Sequence, residues 1–532
     1  MQNNKDWNGT ADESSTAVST LVDLLTTAIN RYPDRIAFIE GEAQITYREI
    51  DRLSAGLASF LEDQLRFEQG SRVAIMLPNS IPFPISAIGV LRSGGVIVNV
   101  NPLYTERELN HQLRDAGVDI IIVEKNFVSC VAKSIMGTEV KNIIVVGDFC
   151  EPSEALSDRV GVFAWNDVLV SRHRTKKSSS INPEPDSIAL LQYTGGTTGL
   201  SKGAILRHRN IVANSIQICT ALDLTSDSQQ HFVLTALPLY HIFAFTVNFV
   251  TMFSIGACNV LIRNPSELDT VLLALKSHPI TFITGVNTLY ANILRHNEAD
   301  QVDWARLAFA IGGGSAILPR TSEEWREMTG RHILEGLGMT ETSPVLTVNP
   351  PGNSHFSGTV GVPLPGTDIV IIGDKGMPCA TGDVGEICVR GPQVMSGYWG
   401  FHSEEAEFFT SDGFFKTGDI GWLDEAGYLK IVDRKKDMIL VSGFNVFPNE
   451  VEAIASEHRS VLECACVGIP DDRTGEAVKI FLNVANYADF DADDFMRHCR
   501  SRLAGYKVPR YLELVNELPK SNVGKILRRQ LR

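Results

Sequence analysis

Short apolar runs rich in β-branched residues alternate with helical patterns through the first two-thirds of this chain, and that alternation limits the fold more than any other feature. Val73-Ala74-Ile75-Met76-Leu77 is followed by a helical pattern from Pro82 to Arg92 and then by Val96-Ile97-Val98-Asn99-Val100. Ile120-Ile121-Ile122-Val123 and Ile143-Ile144-Val145-Val146 repeat the theme. Continuous apolar strands separated by helices predict layered α/β architecture with largely parallel sheets. A chain of 532 residues is also too long for one core, so two or more domains are expected.

One stretch offers a competing reading. From Phe232 to Ile262 there is no Asp, Glu, Lys or Arg, which is long enough to span a bilayer. Pro238, His241, Asn248, Ser254, Gly256 and Asn259 interrupt it. The pattern reads as a strand from Phe232 to Leu237, a buried helix from Phe243 to Phe253 and a second strand from Cys258 to Ile262. A buried β-α-β unit is therefore favoured over a membrane span.

Residues 1–19 are polar and expected to be loose, with no apolar core for a signal peptide. An N-terminal domain is expected over 20–432, with Ser171 to Asp186 as a surface connection between its halves. After Asn349 the texture changes to short strands punctuated by Gly and Pro, which predicts a β-rich subdomain over about 350–432. The charged run Asp433-Arg434-Lys435-Lys436-Asp437 reads as a hinge, and 438–532 suffices for a small, mobile α+β domain.

Lys plus Arg is 48 against 63 Asp plus Glu, a formal net charge of −15, which argues against nucleic acid as a partner. The nine cysteines form no C-x-x-C pair and are read as free thiols in a reducing cytoplasm. The tail runs against the overall charge. From Arg497 to Arg532 there are ten Lys/Arg and two Glu, a local +8. That excess suits a phosphate-bearing ligand, an anionic membrane surface or a merely solvated face.

Chemistry concentrates first in Thr194-Gly195-Gly196-Thr197-Thr198-Gly199-Leu200-Ser201-Lys202. Glycines turn backbone N–H groups toward an anion, and hydroxyls and an ammonium add donors, a combination suited to polyphosphate. It is not a Walker loop, because Lys202 follows Ser201 and the chain leaves into the apolar run Gly203-Ala204-Ile205-Leu206.

The loop resembles the phosphate-binding signature of the adenylate-forming superfamily, and the other signatures follow in order. They are Leu237-Pro238-Leu239-Tyr240-His241, Glu335-Gly336-Leu337-Gly338-Met339-Thr340-Glu341, Lys416-Thr417-Gly418-Asp419, Asp433-Arg434-Lys435-Lys436-Asp437 and Pro519-Lys520-Ser521-Asn522-Val523-Gly524-Lys525. The resemblance runs from about Leu21 to Arg532 and is strongest to bacterial long-chain fatty-acyl-CoA synthetases.

That resemblance implies an AMP-forming ligase using ATP, a fatty acid and coenzyme A, with Mg²⁺ as cofactor. Lys525 then lies between the acyl carboxylate and the α-phosphate, and Thr340 and Lys202 contact phosphate. Glu341, with Thr194, holds the metal. Asp419 takes the ribose hydroxyls with Arg434 in support, and the turn at Gly314 together with Glu335, Gly336 and Leu337 frames the adenine. His241, Phe245, Gly285 and Val286 line the acyl pocket, although each also fits a core position and for Phe245 core is the safer reading. Lys436 is the hinge about which the C-terminal domain swings to bring Gly443 and Asn445 to coenzyme A. Relatives commonly carry Tyr or Phe at the position of Leu337, so weaker ATP binding is expected.

The sequence leaves open an aryl acid as substrate, a carrier-protein thiol as acceptor, and a catalytically weak fatty-acid- or nucleotide-binding protein. It leaves open also a homodimer and peripheral contact with the inner face of a membrane.

Overall fold

The apolar runs assemble into two mainly parallel sheets in a computed structural model that describes residues 18–148, 160–170, 183–194, 201–224, 230–352, 357–373, 375–401, 405–521 and 524–532. The seven-stranded sheet has the order Gly161–Ala164, Asn142–Val146, Val118–Glu124, Arg72–Met76, Val96–Asn99, Ile188–Thr194, Lys202–Arg207. All neighbours are parallel except the last pair, a hairpin that sets Thr194 opposite Lys202. Most of the anticipated N-terminal segment and of the 171–186 connection lies outside the described residues, as do Gly195, Gly196, Thr197, Thr198 and Gly199.

The nine-stranded sheet has the order Val362–Pro363, Val345–Val348, Ile333–Gly338, Phe309–Gly312, Phe282–Gly285, Phe232–Thr235, Cys258–Leu261, Ile36–Glu40, Ala43–Thr46. Its middle six strands are parallel, and the outer strands return antiparallel. Helices cover the sheets, and Thr20, Thr46 and Thr105 start three of them with reciprocal capping boxes.

The uncharged stretch folds as the buried β-α-β unit that its interruptions predict. Phe232–Thr235 and Cys258–Leu261 are parallel neighbours. The helix between them is a π-helix over Ala244–Thr251 that continues as a short α-helix, Met252–Ser254. Some polar groups of this unit are paired: Asn248 Oδ1 accepts from Thr284 Oγ1 of the next strand at 2.9 Å, and Thr235 Oγ1 donates to Asn259 Oδ1 at 2.7 Å, whereas Thr246 Oγ1 and Asn259 Nδ2 are buried without a hydrogen-bond partner. Among the described residues no helix is long and apolar enough to cross a membrane.

A four-stranded antiparallel sheet follows, Asp368–Ile372, Gly385–Arg390, Phe415–Leu423, Leu429–Arg434. It begins at Asp368 rather than near 350, because Val345–Val348 and Val362–Pro363 pair into the large sheet. Asp433 and Arg434 close its last strand, and residues 435–437 form the turn. Beyond that turn a small α+β unit has its own core, where Val446, Val451, Ile480 and Phe495 meet. Its long hairpin, Val461–Asp471 with Gly475–Val484, packs against helices Pro448–Ser456 and Ala492–Arg500.

The tail's basic excess is largely neutralised within this unit. Arg502, Lys507, Arg510, Lys520, Arg528 and Arg532 pair with Glu457, Glu450, Asp471, Glu463, Glu452 and Asp437. The exposed pairs among these add little stability, but every pair cancels a charge that a membrane or free phosphate would otherwise meet.

Candidate active site

Parallel strands direct their carboxyl ends to one edge, and ligands collect there in open α/β sheets. Thr194, Gly285, Gly312 and Gly338 each end such a strand. Glycine is required where the last of these strands meets its antiparallel neighbour. A Cβ on Gly336 would come within 2.7 Å of the Thr347 carbonyl oxygen, and one on Gly338 within 2.6 Å of that of Pro344. Gly314 has a positive φ of 77°, which turns the chain after Phe309–Gly312 back over Val286.

Lys525 reaches this edge from the C-terminal unit. Ser521 and Lys525 close a tight turn, with the Ser521 N–H donating to the Lys525 carbonyl at 2.7 Å and the Lys525 N–H to Ser521 Oγ at 3.2 Å. Gly524, at φ 79°, lets this turn lie directly on the segment that follows strand Phe282–Gly285: a Cβ there would meet Thr288 Oγ1 and Val286 Cγ2, each at 2.9 Å. Withdrawal from water, reinforced by the Arg434 guanidinium, brings the Lys525 ammonium down to about 8, against the pull of Asp419.

Asp419 is only 4% exposed, and its Oδ1 lies 3.1 Å from Arg434 Nε, the two residues facing each other across antiparallel strands. Burial raises its carboxyl above the usual range, while Arg434 and Lys525 oppose the rise. His241 stands nearby, and burial and then the Lys525 charge hold its ring down at about 4, so it is neutral near pH 7. The Phe243 N–H donates to His241 Nδ1 at 3.3 Å, leaving Nε2 to carry the proton. Buried Asn79 fastens the turn leading to His241. Its amide donates to the Thr235 and Leu237 carbonyls at 3.0 and 2.9 Å, and its oxygen accepts from the Leu239 N–H at 2.7 Å.

A second group of side chains surrounds the hairpin of strands Ile188–Thr194 and Lys202–Arg207. Glu341 lies in the turn Thr340–Thr342 beside the strands that carry Thr194 and Lys202, and its Oε1 accepts from the Tyr398 hydroxyl at 2.6 Å. Lys202 Nζ sits 4.3 Å from the centre of the Phe401 ring, 4.7 Å from that of Phe408 and 5.6 Å from that of Tyr398. Its ammonium is thus held by aromatic faces. His111 Nε2 lies 3.0 Å from the Ser201 carbonyl, and Asp115 accepts from the Tyr193 hydroxyl at 2.5 Å, so one helix braces both arms of the hairpin.

Residues 25–399 match the AMP-binding enzyme family, and residues 450–525 match the AMP-binding enzyme C-terminal domain. The chain belongs to the AMP-binding enzyme family. It is 43% identical over 530 residues to a long-chain-fatty-acid–CoA ligase of Yersinia pestis, covering 97% of this chain and 94% of that one. A long-chain-fatty-acid–CoA ligase of Bacillus subtilis (strain 168) is 35% identical, with 100% and 98% covered. Among solved structures, the anthranilate CoA ligase AuaEII in complex with anthranoyl-AMP superposes with a TM-score of 0.87 at 25% identity, with 96% of each chain covered.

Within this AMP-binding enzyme the predicted residues fall into three groups. Lys525, Asp419, Arg434, Lys436, His241, Val286 and Gly314 gather at one place, as do Thr194, Lys202, Thr340 and Glu341 at the neighbouring hairpin. Gly443 and Asn445 stand apart at the exposed tip of the hairpin formed by Ile439–Val441 and Phe444–Val446. Phe245 and Glu335 take other work. Phe245 is fully buried against Phe83 and Phe249, and Phe243 stands against Gly313 instead. Glu335 accepts from the Ile317 N–H at 2.9 Å, fixing the glycine turn from beneath, and burial pushes its carboxyl up to about 7.

The residues not anticipated are Asn79, Tyr398 and Arg528. Only the aromatic-glycine run Ser396-Gly397-Tyr398-Trp399 gave a local signal. The Lys525 environment has a direct readout. Competitive acetylation with acetic anhydride across the alkaline range, followed by mass spectrometry, should give Lys525 a midpoint near 8, while exposed lysines titrate at about 10.4.

Proposed function

We propose that this protein joins a fatty acid to coenzyme A in two steps, through an acyl-adenylate. In the first, a carboxylate oxygen attacks the α-phosphorus of ATP and pyrophosphate leaves. In the second, the coenzyme A sulfur attacks the acyl carbonyl carbon, its proton is lost to solvent and AMP leaves. The observation that carries this reading is the meeting of Lys525 with Asp419 and His241 at the strand ends. Near-full-length similarity to long-chain-fatty-acid–CoA ligases supports the substrate and acceptor.

Charge develops on phosphoryl oxygens in the first step, so positioned cations and N–H donors are the main catalytic resource. Protonated Lys525 bridges the acyl carboxylate and the α-phosphate, with Thr340 as a further donor. Neutral His241 offers Nε2–H to the carboxylate without repelling Lys525. Asp419, with two acceptor oxygens, takes both ribose hydroxyls. Lys202 and the loop 195–199 hold the outer phosphates.

A hard cation shared with phosphate oxygens needs few protein ligands, and a Glu341 carboxylate already oriented by Tyr398 beside Thr194 fits Mg²⁺. Bound there, Mg²⁺ neutralises phosphate charge. Rotation about Lys436 then carries Lys525 away and brings Gly443 and Asn445 to coenzyme A. Peripheral membrane contact and homodimerisation belong to the proposal as its outer parts, and the ion-paired tail favours neither.

Three measurements test this reading. With ATP and coenzyme A present, AMP release across fatty acids of increasing length should be greatest with long chains; release only with aryl acids, or only with a carrier-protein acceptor, overturns it. Lys436→Pro should spare carboxylate-dependent ATP–pyrophosphate exchange and stop thioester formation, and equal loss of both removes the hinge. Leu337, 7% exposed, gives the adenine no aromatic partner. Leu337→Tyr should therefore lower the KM for ATP by about fivefold, corresponding to about 1 kcal/mol of stacking, and an unchanged KM refutes that role.

A further inference from the structure

Three residues beyond Lys525, Arg528 enters a cluster of acidic groups that the adenylation chemistry does not use. Its Nη2 donates to Asn449 Oδ1 and to Glu452 Oε2, both at 2.6 Å, and its Nε donates to Glu452 Oε1 at 3.0 Å. Its Nη1 lies 3.6 Å from Asp433 Oδ1 and 3.7 Å from Asp437 Oδ2. The guanidinium is 18% exposed, and Asp433 is fully buried. Charge-assisted bonds this enclosed fix geometry more firmly than surface pairs do.

These contacts divide at the 435–437 turn. Arg528, Asn449 and Glu452 all belong to the C-terminal unit, where Glu452 Oε1 also accepts the Cys466 N–H at 2.7 Å. That part is internal and travels as one body. The remaining contacts cross the turn to strand Leu429–Arg434: the Asn449 N–H donates to Asp433 Oδ2 at 2.7 Å, Asn449 Nδ2 to the Val432 carbonyl at 3.2 Å, and Arg528 faces Asp433. Turning the unit about residues 435–437 breaks all three crossing contacts together and leaves the internal ones whole.

We infer that Arg528 is a positioning residue for Lys525, and that Asp433, Asn449 and Arg528 form a latch holding the C-terminal unit in the orientation that sets Gly524 against Val286 and Lys525 beside Asp419. This rests on the reading of Lys525 as the adenylation lysine. The latch stabilises one orientation only, so it favours the first half-reaction and must release for the second. Asp433 is its switchable part, because its bonds are the ones that cross. Arg528 and Glu452 keep the Lys525 turn rigid on the unit's own sheet.

The test uses Asp433→Asn, which keeps the shape and removes the charge, with Arg528→Lys as a second variant that keeps the charge and loses the fork. Both should melt like the parent. ATP–pyrophosphate exchange should fall by about tenfold or more, while thioester formation from supplied acyl-adenylate stays within about twofold. The acetylation midpoint of Lys525 should move from near 8 toward about 10, and other lysines should not move. An unchanged Lys525 midpoint in Asp433→Asn overturns the latch, whether exchange persists or both half-reactions fall alike. Lys525→Ala separates the two ideas: if it leaves exchange intact, the adenylation reading fails, and the midpoint shift still decides the latch.

Discussion

At 2.9 Å from where a Cβ on Gly524 would stand lie the Thr288 hydroxyl and a Val286 methyl, and the site's geometry depends on that close approach. No side chain fits between the turn and the strand end, so the lysine that follows is delivered to the carboxyl edge of the large sheet. Once there, Lys525 leaves water and meets Arg434, Arg528 and Lys436, three other cations. Asp419 is the counter-charge that makes such a gathering tolerable. The same crowding brings the ammonium down into the range where its proton is readily shared.

The edge that receives Lys525 is built from backbone, and its precision comes from glycine and from buried amides. Gly336 and Gly338 allow antiparallel strands to approach closer than a methyl group permits. Asn79 uses both ends of its amide to fix the turn before His241. Behind that turn, a stretch without charge pairs Thr235 with Asn259 and Asn248 with Thr284, while Thr246 Oγ1 and Asn259 Nδ2 are buried without a hydrogen-bond partner. A buried polar group costs free energy only when left without a partner. The pairs that do form offset part of that cost where a segment apolar enough for a bilayer makes the interior of a globular sheet.

Around the hairpin, charge is held in reserve. Lys202 rests against three aromatic faces, and Tyr398, one of the three, also orients the Glu341 carboxylate. One phenol thus touches both the cation and the carboxylate assigned to phosphate and metal. Cation–π contact holds an ammonium less strongly than a phosphate does, so the aromatic faces place the lysine without an acid to neutralise it.

The sequence by itself determined the alternating strands, the order of the motifs and the residue types that the chemistry needs, because each is a local property of a few consecutive residues. The helix Pro82–Arg92 and the strands around 73, 97, 121 and 144 read directly from apolar runs. It did not determine which motif residues share a space. That Phe245 packs as core while Phe243 faces Gly313, that Glu335 braces a turn, and that the basic tail is spent on ion pairs are decided by contacts between residues far apart in the chain. Arg528 carries no pattern of its own, and its partner Glu452 lies 76 residues away. Packing alone decides such pairs, because the distance that matters to a charge or a hydrogen bond is measured through space.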